Sequence, residues 1–153
     1  MEHEMSVQIP NGQNPEQNVI TGGQPSGVQF AAFRDAAGDE CRVVNLRGSG
    51  EPGVAEQSAL MKQLGIDYVH LPVSGPGDLS FETAAALKAA LEYEGPVMVH
   101  CASGNRVGAV RALAAFQFED QGVEEALAIG RRWGLTRMEP MIAGMLQTAA
   151  RDR

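Results

Sequence analysis

Cysteine is scarce in this chain: Cys41 and Cys101 are the only two among 153 residues. Two thiols are too few for a disulfide scaffold. Each sits at an end of a short apolar run: Cys41 before Arg42 to Leu46, Cys101 after Val97 to Val99. On neighbouring parallel strands those ends are opposite, so the sulfurs would stand about five residues, or ~16 Å, apart, beyond disulfide reach. Free thiols are expected, which fits a reducing, cytoplasmic setting. Cys41 reads as a small buried hydrophobe. Histidine is nearly as sparse. His3, His70 and His100 lack ligand spacing and no Cys-x-x-Cys pair occurs, so neither a metal nor another cofactor is expected. No apolar run approaches the ~20 residues of a membrane helix, and the polar N-terminus lacks the pattern of a secretory signal. Basic residues are outnumbered 12 to 19, for a net charge of −7, which argues against a nucleic-acid-binding surface. It does not exclude a small anion, because a local cradle outweighs distant charge across a Debye length of roughly 10 Å.

The remaining composition is that of a globular chain, with 44% hydrophobic residues and a length suited to one domain. Residues 1–17 are polar and read as a flexible arm, leaving 18–153 as the domain. From Val19 onward, strand and helix patterns alternate. Val19 to Thr21 is a short strand. Ser26, with Gln29 three positions on, forms a capping box for a helix whose Phe30 and Phe33 share a face and which Gly38 ends. Arg42 to Leu46 is a strand, Val54 to Leu64 a helix stopped by Gly65, and Tyr68 to Leu71 a strand. Ser80 caps a helix carrying Phe81, Ala84, Leu87 and Leu91 on one side. Val97 to Val99 is a further strand, and helices follow over about 106–118, 123–131 and 138–150. No internal repeat is present. This order predicts an α/β fold: a mostly parallel central sheet of four to five strands flanked by helices.

In such sheets ligands bind beyond the carboxyl ends of the strands. Those ends carry Asn45 and Arg47, then His70, then His100 and Cys101. The segment from Pro96 to Gly108 is the most specific. A cysteine leaves a buried strand, four residues with a glycine follow, and Arg106 opens a helix. Helix N-termini hold amides without intrahelical acceptors and bind anions, so a thiolate and an anion cradle arise from one segment.

This segment resembles the cysteine-dependent phosphatases of the tyrosine and dual-specificity superfamily. It is closer still to the bacterial phosphatase-like domains of beta-lactamase hydrolase-like proteins. Gly23-Gln24-Pro25, Val43 to Arg47, Tyr68 to Val73, His100-Cys101 and Pro140 follow the order of that group. The resemblance implies that Cys101 attacks the phosphorus of a phosphate monoester, or of another small oxyanion substrate, and forms a phosphocysteine. The amides of Ala102, Ser103, Gly104, Asn105 and Arg106 would hold the phosphoryl oxygens, with Arg106 gripping two of them. His100 would brace the loop, with Arg47 and His70 in support. The general acid of the family comes from the loop after the third strand, where Asp78 is the only carboxylate.

Two departures stand out. The usual loop has five residues between cysteine and arginine; here there are four. The hydroxyl residue that usually follows the arginine is replaced by Val107. The shorter loop also resembles that of rhodanese sulfurtransferases, which carry a persulfide on cysteine. A Cys101 persulfide, or an anion-binding module without turnover, therefore stands as an alternative.

Overall fold

The computed structural model describes residues 7–153. Its elements run β1 (Gln13–Glu16), β2 (Val19–Gly22), α1 (Gly27–Ala37), β3 (Arg42–Arg47), α2 (Val54–Leu64), β4 (Asp67–Val73), a 3-10 turn (Pro76–Asp78), α3 (Phe81–Leu91), β5 (Val97–His100), α4 (Asn105–Phe118), α5 (Val123–Arg132) and α6 (Glu139–Arg151). The five strands form one sheet in the order β1-β2-β5-β3-β4. All pairings are parallel except β1 with β2. The α/β class, the mostly parallel sheet and the flanking helices are as the sequence predicts.

Side chains alternate across a strand, so the central strands feed two cores. Val43 of β3 and Met98 of β5 face Phe30 and Phe33 of α1 and Met61 of α2. Val44, Leu46, Val97 and Val99 face the other way, toward Leu87, Leu113, Phe116, Trp133 and Ile142 from the C-terminal half. β5 is buried throughout because helices cover both its faces, which explains why its sequence is apolar without alternation. The capping box at Ser26 and Gln29 is formed in both directions. Such a cap is worth about 1 kcal/mol. β4 lies at the sheet edge, and that position accommodates Pro72, which cannot donate to a ladder. The apolar stripe of the last helix docks through Ile142 and Leu146, leaving Met141 exposed.

The arm expected over residues 1–17 needs correction. Residues 1–6 lie outside the described residues, but Gln13–Glu16 pair antiparallel with β2 and Ile9 is buried. Asn18, in the left-handed region at φ 64°, makes the turn between the two strands. The strand escapes a sequence reading because Gln-Asn-Pro-Glu contains no apolar residue. An edge strand needs only backbone pairing, and Pro15 is tolerated there.

Cys41 and Cys101 are both free, as expected, and both are buried; the register explains why they do not meet. Arg42 is level with Val97 and Asn45 with His100, so the two sulfurs mark opposite ends of adjacent strands. The helix that follows Cys101 is held closely. A Cβ on Gly108 would come within 2.0 Å of the Leu135 nitrogen, a contact that only glycine permits. Asn105 Oδ1 accepts from the amides of Thr136 at 2.9 Å and Met138 at 3.3 Å. These contacts lock the first turn of α4 against the link between α5 and α6.

Candidate active site

The loop after β5 is shaped by its chain neighbours. Gln24 N–H donates to the Ala102 carbonyl at 3.1 Å, and Asn11 Nδ2 to the Ser103 carbonyl at 3.0 Å. Gly104 takes φ 96°, a left-handed conformation suited to glycine, and so turns the loop into α4. Its amide donates to Cys101 Sγ at 3.0 Å. The remaining amides at this end, of Asn105, Arg106 and Val107, have no acceptor inside the helix. Cys101 itself has no exposed surface, whereas Ala102 and Ser103 above it are exposed. The sulfur therefore lies beneath its own loop, against a backbone donor.

Arg106 is directed inward. Its Nη1 donates to Glu51 Oε2 at 2.6 Å and to the Val73 carbonyl at 2.9 Å, and its Nη2 to Glu51 Oε1 at 2.9 Å. A guanidinium has five N–H groups. Glu51 and Val73 take three, leaving Nε–H and one Nη2–H, the parallel pair that grips an oxyanion side-on. Glu51 thus orients the fork without occupying that edge. Its hydrogen bond, and secondarily the nearby Cys101 sulfur, strengthen the hold of Arg106 on its proton.

Glu51 collects four donors. Besides Arg106 it accepts from Arg47 Nε at 3.3 Å and from the Gly48 amide at 2.5 Å. Arg106 foremost brings its carboxyl down to about 2. Glu51 is therefore ionised at neutral pH and cannot be the acid that protonates a leaving group. The sign of the linkage is set by a depressed carboxylate. The stabilisation is complete above the unfolded value near 4.5 and is lost as pH falls toward 2. Glu51→Gln is expected to lower stability at pH 7 by about 1–2 kcal/mol after allowing for solvent screening, and to flatten the pH dependence between 4.5 and 2. Urea unfolding at several pH values measures it; parallel curves for the two proteins would show that the carboxylate is not so engaged.

His100 is fully buried behind the loop. Its Nε2 lies 2.8 Å from Gln57 Nε2, and its Nδ1 lies 3.3 Å from the Cys101 carbonyl oxygen. Burial pushes its pKa down to about 4, so the ring is neutral at pH 7. Arg47 is tied down by Gln24 Oε1 and the Pro52 carbonyl, both at 2.8 Å. His70 Nε2–H donates to the Arg47 carbonyl at 2.7 Å. His70 therefore braces the end of β3 and stands one step from the loop. Asp78 is exposed, and its Oδ2 accepts from the Ser74 amide at 2.8 Å, which folds the 74–78 loop on itself.

The structure thus gathers Cys101, the Ala102–Asn105 loop, Arg106, His100 and Arg47 at the carboxyl end of the sheet. It engages Asp78 elsewhere. Neither Glu51 nor Gln57 is among the site residues that the sequence marks out. The four-residue spacing of Arg47 and Glu51 was a visible signal for one ion pair. The link to Arg106, 55 residues away, left no local trace.

A cysteine-bearing loop between a central parallel strand and a helix, with an inward arginine, is the arrangement that the resemblance to cysteine-dependent phosphatases implies. Residues 22–117 match the family model of the beta-lactamase hydrolase-like protein, phosphatase-like domain. The chain belongs to this family. It is 30% identical over 122 residues to the beta-lactamase hydrolase-like protein of Xylella fastidiosa, covering 77% of this chain and 28% of the relative's length. The chain is thus similar to a part of that longer protein. Among solved structures, a candidate phosphatase of the DUF442 group from Shewanella putrefaciens shares the fold at TM-score 0.68 and 21% identity, covering 95% of this chain and 97% of the other. TpbA of P. aeruginosa, solved as a cysteine-to-serine form with pTyr, shares it at TM-score 0.59 and 17% identity, covering 98% and 94%. No described helix is long and apolar enough to cross a membrane.

Proposed function

We propose that this phosphatase domain hydrolyses a phosphate monoester through a phosphocysteine on Cys101. The observation that carries the reading is the pairing of Cys101 Sγ with the Gly104 amide, beside an Arg106 fork whose side-on edge is left available by Glu51. The Cys101 thiolate attacks phosphorus, an S–P bond forms, and the P–O bond to the leaving group breaks. Water then attacks the phosphocysteine, the S–P bond breaks, and inorganic phosphate leaves with the thiolate restored. The amides of Ala102 to Arg106 and the Arg106 guanidinium stabilise the charge on the equatorial oxygens. Because the sulfur is covered, residues 102–104 shift outward to admit the phosphoryl group. TpbA, a relative in fold, was solved with pTyr, which supports an aryl phosphate as the first substrate to try.

Asp78 protonates the leaving oxygen in this proposal, after the loop releases the Ser74 amide. That makes leaving-group quality decisive. Asp78→Asn is expected to slow an alkyl phosphate by ~100-fold and p-nitrophenyl phosphate, whose phenolate leaves readily, by under tenfold. Equal slowing of both substrates removes Asp78 from the mechanism.

The four-residue loop closing tightly on sulfur also suits a small cargo, which favours sulfur transfer as the second reading. One experiment separates the two. The same protein is given p-nitrophenyl phosphate and, separately, thiosulfate. Phosphate release with no sulfur added to Cys101 supports the phosphatase; a one-sulfur mass gain without phosphate release supports sulfur transfer. Phosphate binding without either turnover leaves an anion-binding module.

A further inference from the structure

Behind the Cys101 loop runs a line of polar side chains that enter the core and yet are all paired. Arg47 Nη1 donates to Gln24 Oε1 at 2.8 Å, and Gln24 Nε2 to Gln57 Oε1 at 3.3 Å. Gln57 therefore presents its amide nitrogen to His100 Nε2 at 2.8 Å. That nitrogen must accept, so the ring proton resides on Nδ1, which faces the Cys101 carbonyl at 3.3 Å. One continuous set of donors runs from Arg47 to the peptide joining Cys101 and Ala102, while Gln24 Nε2 also donates to the Pro25 carbonyl at 3.0 Å and Arg47 Nη1 to the Pro52 carbonyl at 2.8 Å. Gln57 is only 4% exposed and lies on α2. A glutamine buried there has no role in apolar packing that a methionine would not fill.

We propose that Gln57 is a positioning residue that sets the tautomer of His100 and, through it, the donor strength of the Ala102 amide in the oxyanion cradle. A hydrogen bond to a peptide carbonyl polarises the N–H of that same peptide, and aligned bonds reinforce one another. The carbonyl here belongs to Cys101 and the N–H to Ala102. The relay thus lends part of the Arg47 charge to a loop amide without bringing another cation to the substrate. Other groups around His100 do not compete for this role. Arg47 and Arg106 carry positive charge toward it and oppose a second ring proton, as does His70 on β4, while Phe30 of α1 meets the ring edge-on at 5.7 Å. Among the described residues no carboxylate is paired with the ring, and Gln57 is the side chain that meets Nε2.

The inference rests on the Cys101 loop being the reacting loop, and its test reads the relay separately from turnover. Nitrogen-15 labelled protein at pH 7 is expected to show His100 protonated on Nδ1 alone. Gln57→Met should release that preference, move the Ala102 amide resonance, and lower kcat for p-nitrophenyl phosphate roughly tenfold with KM little changed, the size expected for one lost hydrogen bond. Gln57→Glu, close to isosteric, should protonate Nε2 as well, keep Nδ1–H on the Cys101 carbonyl, and retain more of kcat than Gln57→Met. An Nε2–H tautomer in the unmodified protein overturns the proposal. So does a Gln57→Met protein with unchanged tautomer, Ala102 resonance and kcat. Should Gln57→Met not fold, the tautomer and Gln57→Glu decide the matter. If phosphate esters are not turned over but the tautomer and the Ala102 resonance respond as described, the relay stands and the phosphatase reading fails.

Discussion

Cys101→Ser is expected to abolish phosphate release from an aryl phosphate, with a loss of at least ~10³-fold, because the proposed reaction has no other nucleophile. A serine hydroxyl at this position is protonated at neutral pH, and the histidine behind the loop cannot deprotonate it. His100 Nε2 already accepts from Gln57 and its Nδ1 faces the Cys101 carbonyl, so neither ring nitrogen points at the side-chain atom. The Gly104 amide that meets Sγ at 3.0 Å can stabilise an anion but cannot create one from serine. The substitution removes little bulk from a residue with no exposed surface, so the fold and the cradle should survive. The serine protein is then expected to bind the substrate and hold it unreacted. Two measurements decide the point: initial rates of phosphate release, and mass spectrometry of the rapidly quenched unmodified protein, which should carry phosphate on the peptide containing Cys101. Activity that survives in Cys101→Ser, or phosphate found on another residue, rejects the mechanism.

Arg106→Lys is expected to lower kcat/KM by ~10²–10³-fold although charge is conserved. The guanidinium performs two tasks at once. One edge holds Glu51 through two bonds of 2.6 and 2.9 Å, Nη1 also reaches the Val73 carbonyl, and the remaining parallel N–H pair is the proposed grip on two phosphoryl oxygens. An ammonium has three diverging donors and no planar fork, so it can satisfy Glu51 or the substrate but not both in that geometry. Glu51, a carboxylate that stays ionised at neutral pH even without Arg106, then competes with the phosphate for the lysine. The loss should therefore include weaker binding of inorganic phosphate as well as slower turnover, and Arg106→Ala should be worse on both counts. Steady-state kinetics with p-nitrophenyl phosphate and a phosphate-binding titration measure the two components. A lysine variant within tenfold of the unmodified protein would show that the bidentate grip is not used.

Much of the architecture was legible because it is written in local patterns. The capping box at Ser26, the glycine stop at Gly65 and the Ser80 cap each act within one helical turn, so the sequence alone places the helix ends they control. The apolar run before Cys101 and the pattern after Asn105 similarly mark a strand-loop-helix. β1 was not legible, because an edge strand with a solvated face leaves no alternation to read. Asp78 shows the same limit in a functional residue. Its place in the right loop was readable, but its bond to the Ser74 amide depends on how that loop folds back.

By its order of residues the chain determined that a cysteine would close a buried strand, that four residues would separate it from an arginine, and that this arginine would open a helix. These are statements about neighbours, governed by backbone geometry and side-chain periodicity over a few residues. The tertiary structure decided what each of those groups meets. It seated Glu51 on Arg106 and Gln57 on His100, from segments 55 and 43 residues away. Ion pairs and buried amides are selected by distance in space and by exclusion of water, and packing α2 and the β3 loop against the sheet supplies both.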